Sequence, residues 1–320
     1  MGWEIILADG MSEDGTREIL QEYAALHAEL RVIENPGRIV STGLNAAIRA
    51  ACGLIILRMD AHTRYAPDYS ARCIETLEAT GADNVGGPAC TEASGSRARA
   101  VAAAYHSRFC TGARFHDVNY QGWVETVTYG CWRRSTFDQI GLFDETLVRN
   151  QDDELNLRLI RAGGRIWQTP EIKSWYSPRS TLTAIFRQYF QYGFWKVAVI
   201  RKHRIPASWR HAVAPLFVLV NLSLMIALPV SALSGSTRWT PALAALWGLL
   251  LLAYATANVT ASVAAAKENG WDLFFYLPAA FAAYHIAWGL GFLVGVVKLV
   301  PPLSPSLSMQ SDSVFTRLSR

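Results

Sequence analysis

Three long apolar runs, at residues 212–233, 241–266 and 273–300, dominate the last third of this sequence. Each reaches the ~20 residues that an α-helix needs to cross a bilayer, so the chain is built for two solvents. Hydrophobic residues make up 51% of the 320 and charged residues only 18%, and the apolar excess lies almost entirely after Arg210. Three crossings are expected, although Pro278, His285 and several glycines interrupt the third run and allow a re-entrant path. The cluster Arg201, Lys202, His203, Arg204 and Arg210 precedes the first run, and the positive-inside tendency puts the region before it in the cytosol of a multi-pass inner (plasma) membrane protein. Three crossings would leave the polar tail, residues 301–320, outside, against the charge of its closing arginines. His285 is the main ionisable group within the runs, which argues against a charged transport pathway.

The rest of the composition excludes several classes. A net charge of +4, from 30 basic and 26 acidic side chains, is too small for a general nucleic-acid binder. The five cysteines are odd in number and form no CxxC, so neither a disulfide framework nor a structural zinc site is expected. No basic-then-apolar signal peptide opens the chain.

Residues 1–180 alternate between strand and helix patterns. Residues 3–8 (WEIILA) are a buried strand ending at Asp9. Thr16 or Asp14 caps a helix whose apolar face carries Ile19, Leu20, Tyr23 and Leu26. Residues 30–33 form a second strand, 42–51 a helix, and 54–59 (LIILRM) a strand ending at Asp60. Strand–helix–strand order predicts an α/β domain with a mostly parallel sheet, and ligands of such sheets bind outside the carboxyl ends of the strands, where Asp9 and Asp60 lie. Residues 181–204 form an amphipathic helix with Phe186, Tyr189, Phe190 and Phe194 on one face and Arg187, Lys196, Arg201 and Lys202 adding charge. Such a helix can rest on an anionic membrane surface.

Four segments carry candidate chemistry. In ADGMSEDGT (8–16), Asp9 can accept hydrogen bonds from a base or sugar, and Gly10 and Gly15 permit close backbone approach; a plain Asx turn with a helix cap explains the same residues. In RMDAH (58–62), an aspartate with a second donor two residues on suits Mn²⁺ or Mg²⁺ completed by phosphate and water, or simply a capped turn. In RNQDDELNLRLIRAGGRIW (149–167), a run of acids opens a helix, where its dipole favours them. Asp152, just before that helix and on an acidic turn at a pocket rim, is the candidate general base. In RQYFQYGFWK (187–196), aromatics can stack on sugars while Gln188 and Lys196 reach phosphate or hydroxyl groups.

In this order, the segments resemble inverting family 2 glycosyltransferases of GT-A fold, Rossmann-like, within which the chain is similar to succinoglycan-type exopolysaccharide glycosyltransferases with C-terminal transmembrane helices. ADGMSEDGT resembles the family's VDDGSTDGT turn. NPGRIVSTGLNAAIRAACGLIILRMDAH resembles the approach to its DxD motif, and YGCWRRSTFDQIGLFDE its acceptor-side stretch. RNQDDELNLRLIRAGG resembles its "ED" segment, and QYFQYGFWK stands where relatives carry a Q-x-x-R-W-like motif. The resemblance covers about two-thirds of the chain.

That resemblance implies a GT-A domain at 1–180, an interfacial helix at 181–210, a membrane domain at 211–300 and a tail at 301–320. It implies Asp9, Asp60 and Arg38 on a nucleotide-sugar donor, UDP by family habit. Asp60 and His62 would hold Mn²⁺ or Mg²⁺, Asp152 would be the base, and Gln188, Trp195 and Lys196 would bind acceptor or diphosphate. The acceptor would be a lipid-linked saccharide at the membrane. A polyprenyl-phosphate sugar synthase and a non-catalytic membrane scaffold are the alternatives. The three acids Asp9, Asp60 and Asp152 are expected to converge on one cleft. Three departures bear on this: His62 replaces the usual second aspartate, Gln151 stands where a glutamate is common, and relatives carry a VSVVIPxxNE-like strand ahead of the first turn. Here Met1 lies only eight residues before Asp9. A form lacking that central strand is expected to be poorly stable and weakly active, because neighbouring backbone groups lose their ladder partners.

Overall fold

The computed structural model describes residues 2–110, 114–205, 208–235 and 238–299. The tail at 301–320 lies outside the described residues. The chain forms two compact units. The first holds Met1–Cys90 and Asp117–Tyr176; the second holds Thr91–His116 and the chain from Ser177 through the last apolar helix.

The first unit opens with β1 (Ile5–Asp9), α1 (Thr16–Leu26), β2 (Leu30–Glu34) and α2 (Val40–Ala50). It continues through β3 (Ile55–Leu57), β4 (Thr63–Tyr65), α3 (Tyr69–Thr80) and β5 (Asn84–Gly87). Strand β6 (Cys90–Thr91) passes into the second unit, which contributes α4 (Ser96–His106). The first unit resumes with β7 (Gly122–Val124), β8 (Thr128–Arg133), α5 (Arg134–Ile140), α6 (Gln151–Arg161), β9 (Ile166–Gln168) and β10 (Ser174–Tyr176).

Strand pairing in this unit is mixed. β1 and β2 pair in parallel as a two-stranded sheet, with Asp9 opposite Glu34. A five-stranded sheet has the order β3-β8-β5-β9-β7. There β5 and β9 are parallel, whereas β3–β8, β5–β8 and β7–β9 are antiparallel. The parallel order expected from strand–helix–strand alternation therefore holds for β1–β2 and β5–β9. The core between α3 and this sheet is apolar, with Tyr69, Cys73, Leu77, Val85, Cys131 and Ile172 buried together.

Local sequence explains the helices. α1 starts after Gly15, at φ 87°, and Asp14 Oδ1 accepts the Thr16 N–H at 3.2 Å. Its apolar stripe is exposed: Tyr23 is 57% and Leu26 80% accessible. α2 instead buries Ser41, Asn45 and Ile48, which share one face at spacings of four and three. The two polar members grip the loop ahead of α6: Ser41 Oγ donates to the Leu147 carbonyl at 3.2 Å, and Asn45 Nδ2 to the Phe143 carbonyl at 2.8 Å. α6 is further fixed by a buried amide chain. Asn84 Nδ2 donates to Asn156 Oδ1 at 3.0 Å, and Asn156 Nδ2 to Thr126 Oγ1 at 2.7 Å. Buried polar groups satisfied this way give a helix one register.

In the second unit, α7 (Leu182–His203), α8 (Val213–Leu233), α9 (Trp239–Asn269) and α10 (Leu277–Leu299) accompany α4. Thr181 caps α7, its side chain accepting the Ala184 N–H at 3.2 Å. Three helices, Trp209–Leu233, Trp239–Asn269 and Leu277–Leu299, are long and apolar enough to cross a membrane. Ala103, Ala104, Ile185, Ala266, Phe281 and Tyr284 form the buried heart of this unit.

Candidate active site

Beyond β3 the chain turns through Arg58, Met59 and Asp60. Residues two apart on extended backbone project to the same side, and here the Arg58 guanidinium forks the Asp60 carboxylate. Nε lies 2.9 Å from Oδ1 and Nη2 3.0 Å from Oδ2. Arg58 is buried, and its backbone N–H donates to the Gly130 carbonyl at 3.1 Å. The Tyr129 ring stands 5.8 Å from the guanidinium carbon, and its hydroxyl pairs with Thr63. The Asp60 N–H donates to the Tyr65 hydroxyl at 2.6 Å. Among the described residues, buried Arg58 Nη1 has no hydrogen-bond partner.

Asp152 joins this group from α6. It is the second residue of the helix rather than the residue before it, and Asn150, at φ 60°, turns the chain into it. Its carboxylate lies within electrostatic reach of Arg58. Burial, followed by the neighbouring Asp153, pushes the Asp152 carboxyl above its ordinary range, while Arg58 pulls it back. A carboxylate lifted toward working pH suits a proton acceptor. The acidic turn is not wholly at a rim, as the sequence suggested. Glu154 is fully buried and ion-paired to Arg158 at 2.8 Å, because one helical turn separates the two and Glu154 faces inward.

A pH test follows from this electrostatic arrangement. A base works only when deprotonated, so activity is lost as pH falls through its pKa. An opposite charge at close range lowers a carboxylate by about 1–3 units. Arg58→Gln is therefore expected to move the acidic limb of kcat/KM to higher pH. An unmoved limb in the pH–rate profile would show that Arg58 does not tune Asp152.

Asp9 and Arg38 gather at the end of β1. Asp9 is buried, accepts the Ser12 N–H at 3.1 Å and faces Arg17 Nε at 3.3 Å. It lines a cleft with Arg17, Gln21 and Val32. The Asn35 N–H donates to the Asp9 carbonyl at 2.8 Å, and the Arg38 N–H to the Asn35 carbonyl at 3.0 Å, so the turn bearing Arg38 hangs from this strand end. Among the described residues no hydrogen bond or ion pair joins Asp9 or Arg38 to Asp60 or Asp152. Of the three acids expected to share a cleft, Arg58 links two. Four non-glycine residues in these segments, Met11, Arg38 and Asn150 in loops and Tyr129 at the start of β8, take left-handed backbone at φ 57–64°.

His62 is exposed in the turn between β3 and β4. Among the described residues no three His, Cys, Asp or Glu side chains form a metal cage. A Mg²⁺-type ion needs only one or two carboxylates beside phosphate and water. Each carboxylate oxygen accepts more than one bond, so the forked Asp60 can still take part in holding such an ion. Gln188, Trp195 and Lys196 lie on α7, in the second unit. Gln188 Nε2 donates to the Tyr192 hydroxyl at 2.9 Å, Trp195 is half-buried, and Lys196 is buried. Sequence reasoning passed over Arg58 and Tyr129. The signal for Arg58 was present: a cation two residues before a strand-end aspartate.

The family model for Glycosyl transferase family 2 matches residues 1–141. The succinoglycan biosynthesis protein ExoA of Rhizobium meliloti (strain 1021) is 33% identical over 300 residues, which cover 90% of this chain and 84% of that protein. The dolichyl N-acetyl-alpha-D-glucosaminyl phosphate 3-beta-D-2,3-diacetamido-2,3-dideoxy-beta-D-glucuronosyltransferase of Methanococcus voltae is 25% identical over 304 residues, 92% of this chain and 88% of that protein. Among solved structures, S. aureus TarS 1-349 in complex with UDP is 13% identical with a TM-score of 0.41, over 62% of this chain and 56% of that one.

Proposed function

This chain belongs to glycosyl transferase family 2, and from that premise we propose that it moves a sugar from a nucleoside-diphosphate donor to a lipid-linked saccharide, with inversion at the anomeric carbon. The observation that carries this reading is the Asp60–Arg58–Asp152 group. Asp152 takes the proton from the attacking acceptor hydroxyl. Asp60 and His62 hold the divalent ion, whose chemistry, when bound, is to neutralise charge on the leaving diphosphate. Arg58 orients Asp60, and its Nη1 can donate to an anionic group. Asp9 and Arg38 receive the nucleoside, while Gln188, Trp195 and Lys196 of α7 serve the acceptor.

The lipid-linked acceptor is supported by the Methanococcus relative, whose name describes a dolichyl-linked sugar phosphate. The setting, surface polysaccharide assembly, follows the succinoglycan relative. The three apolar helices support a multi-pass protein of the inner (plasma) membrane. The basic stretch from Arg201 to Arg204 and Arg210 supports a cytoplasmic catalytic unit.

The test is a panel of nucleotide sugars, UDP-sugars first, given to the protein in lipid nanodiscs with Mn²⁺ and either a lipid-linked saccharide or a lipid monophosphate. Transfer to the saccharide is expected, with Asp60→Ala losing it. Transfer only to the monophosphate would instead make the protein a lipid-phosphate sugar synthase, and no transfer from any donor would leave a membrane scaffold.

A further inference from the structure

Although three helices of the second unit have the length and apolarity of membrane spans, their surroundings differ. Only 11% and 6% of the most apolar windows of the first two are buried by protein, against 39% for α10.

The partners of α10 explain this. It runs parallel to α7 along nearly its whole length: Tyr189 packs edge-on against Tyr284 at 4.4 Å, and the Arg201 guanidinium donates to the Leu299 carbonyl. Glycines bring the two backbones together. A Cβ added at Gly193 would collide with the Trp288 carbonyl, and one at Gly291 with the Phe190 carbonyl. α7 carries exposed Arg187, Arg201 and Lys202 as well as buried Gln191 and Lys196. A helix with charges along its length is costly to place across a hydrocarbon core. Because α10 is fused to it side by side, α10 could cross only if α7 crossed too.

The contacts with α8 and α9 agree. The middle of α10 meets the start of α8 and the turn before it, where Gly289 lies against Ala214 and Val218 and Trp288 Nε1 donates to the His211 carbonyl at 3.3 Å. It meets α9 in that helix's later half, where Asn258 Nδ2 donates to the Pro278 carbonyl at 3.1 Å and Tyr254 pairs with His285 at 3.0 Å. α10 thus lies across the base of the α8–α9 hairpin. Beyond that base, α8 and α9 contact each other, as from Trp247 Nε1 to Asn221 Oδ1 at 3.0 Å, and present Ile226, Val230, Leu249 and Leu252 at 60–65% exposure. At ~1.5 Å per residue, the 31 residues of α9 span about 46 Å, well beyond a ~30 Å core. The surplus falls at its carboxyl end, where Ala265 and Ala266 are buried in the core shared with α4.

We infer that only α8 and α9 cross the bilayer, and that α10 lies beside α7 in the interface on the side from which α8 enters. The end of α10 then returns to the side of the basic stretch around Arg201, and Lys298 obeys the charge rule that three crossings would strain.

The test is labelling of intact cells and of inverted vesicles with a membrane-impermeant maleimide. The full chain carries Cys52→Ser, which removes the exposed native thiol, together with one of Lys202→Cys, Ser234→Cys or Lys298→Cys. K298C is expected to label from the same side as K202C, and S234C only from the other. K298C labelling with S234C, or staying silent from both sides until detergent is added, would overturn the inference while leaving a membrane protein. S234C labelling from both sides would remove the hairpin itself. None of these readouts depends on transferase activity.

Discussion

Asp152→Asn is expected to lower turnover by about 10²–10⁴-fold, the usual contribution of a general base. The amide keeps the size of the carboxylate and the first turn of α6, but it cannot take a proton from an acceptor hydroxyl. Donor affinity should be unchanged, because the nucleoside end is held at Asp9 and Arg38 in this reading. Single-turnover rates together with nucleotide titration would separate the two. If Asp152 is the base, the acidic limb of the pH profile vanishes along with the activity, since burial and Asp153 raise this carboxyl. A carboxyl raised in the folded state costs stability as pH rises above its unfolded value, a penalty that the asparagine removes. D152N that turns over at close to the native rate would place the base elsewhere.

Glu154→Ala is expected to cost about 1–3 kcal/mol of stability, the loss of charge-assisted hydrogen bonds from a buried carboxylate to a half-buried arginine. Glu154 has no exposed surface, and its oxygens hold Arg158 at 2.8 and 3.2 Å. Arg158 in turn donates to the Ile140 and Leu142 carbonyls, which tie α5 and the loop after it to α6. Without Glu154, that guanidinium, 23% exposed, is left with the two carbonyls and water. Thermal unfolding of the purified protein would show the loss. The double change Glu154→Leu with Arg158→Met is expected to recover part of it, because an apolar pair leaves no stranded charge. A single variant melting with the native protein would show that the pair contributes little.

Much of this arrangement was legible beforehand, for identifiable reasons. The apolar runs declared themselves by length alone. The end of β1 was marked by Asp9, and α6 by its acids and its leucines, whereas β3 stops at Leu57, short of the strand read as ending at Asp60. The sheet order was not legible: β8 inserts antiparallel between β3 and β5, a long-range pairing that local periodicity does not encode. The acidic run hid two fates, because QDDE looks uniform as a string while one helical turn sends Asp152 toward Arg58 and Glu154 into the core. Nor could periodicity reveal that α10 has a charged helix as its companion, since hydropathy is summed along one segment and partners are chosen across segments.

The left-handed residues at Met11, Arg38, Tyr129 and Asn150 have a consequence of their own. For L-residues other than asparagine this conformation costs roughly 1–2 kcal/mol each, so the surrounding fold must hold these loops in shape against their own relaxation. Loops kept taut in advance have little slack to lose when a ligand arrives, and the entropy penalty of docking is charged to folding instead. Softening them would therefore trade a sturdier resting protein for a slower, looser grip on whatever enters.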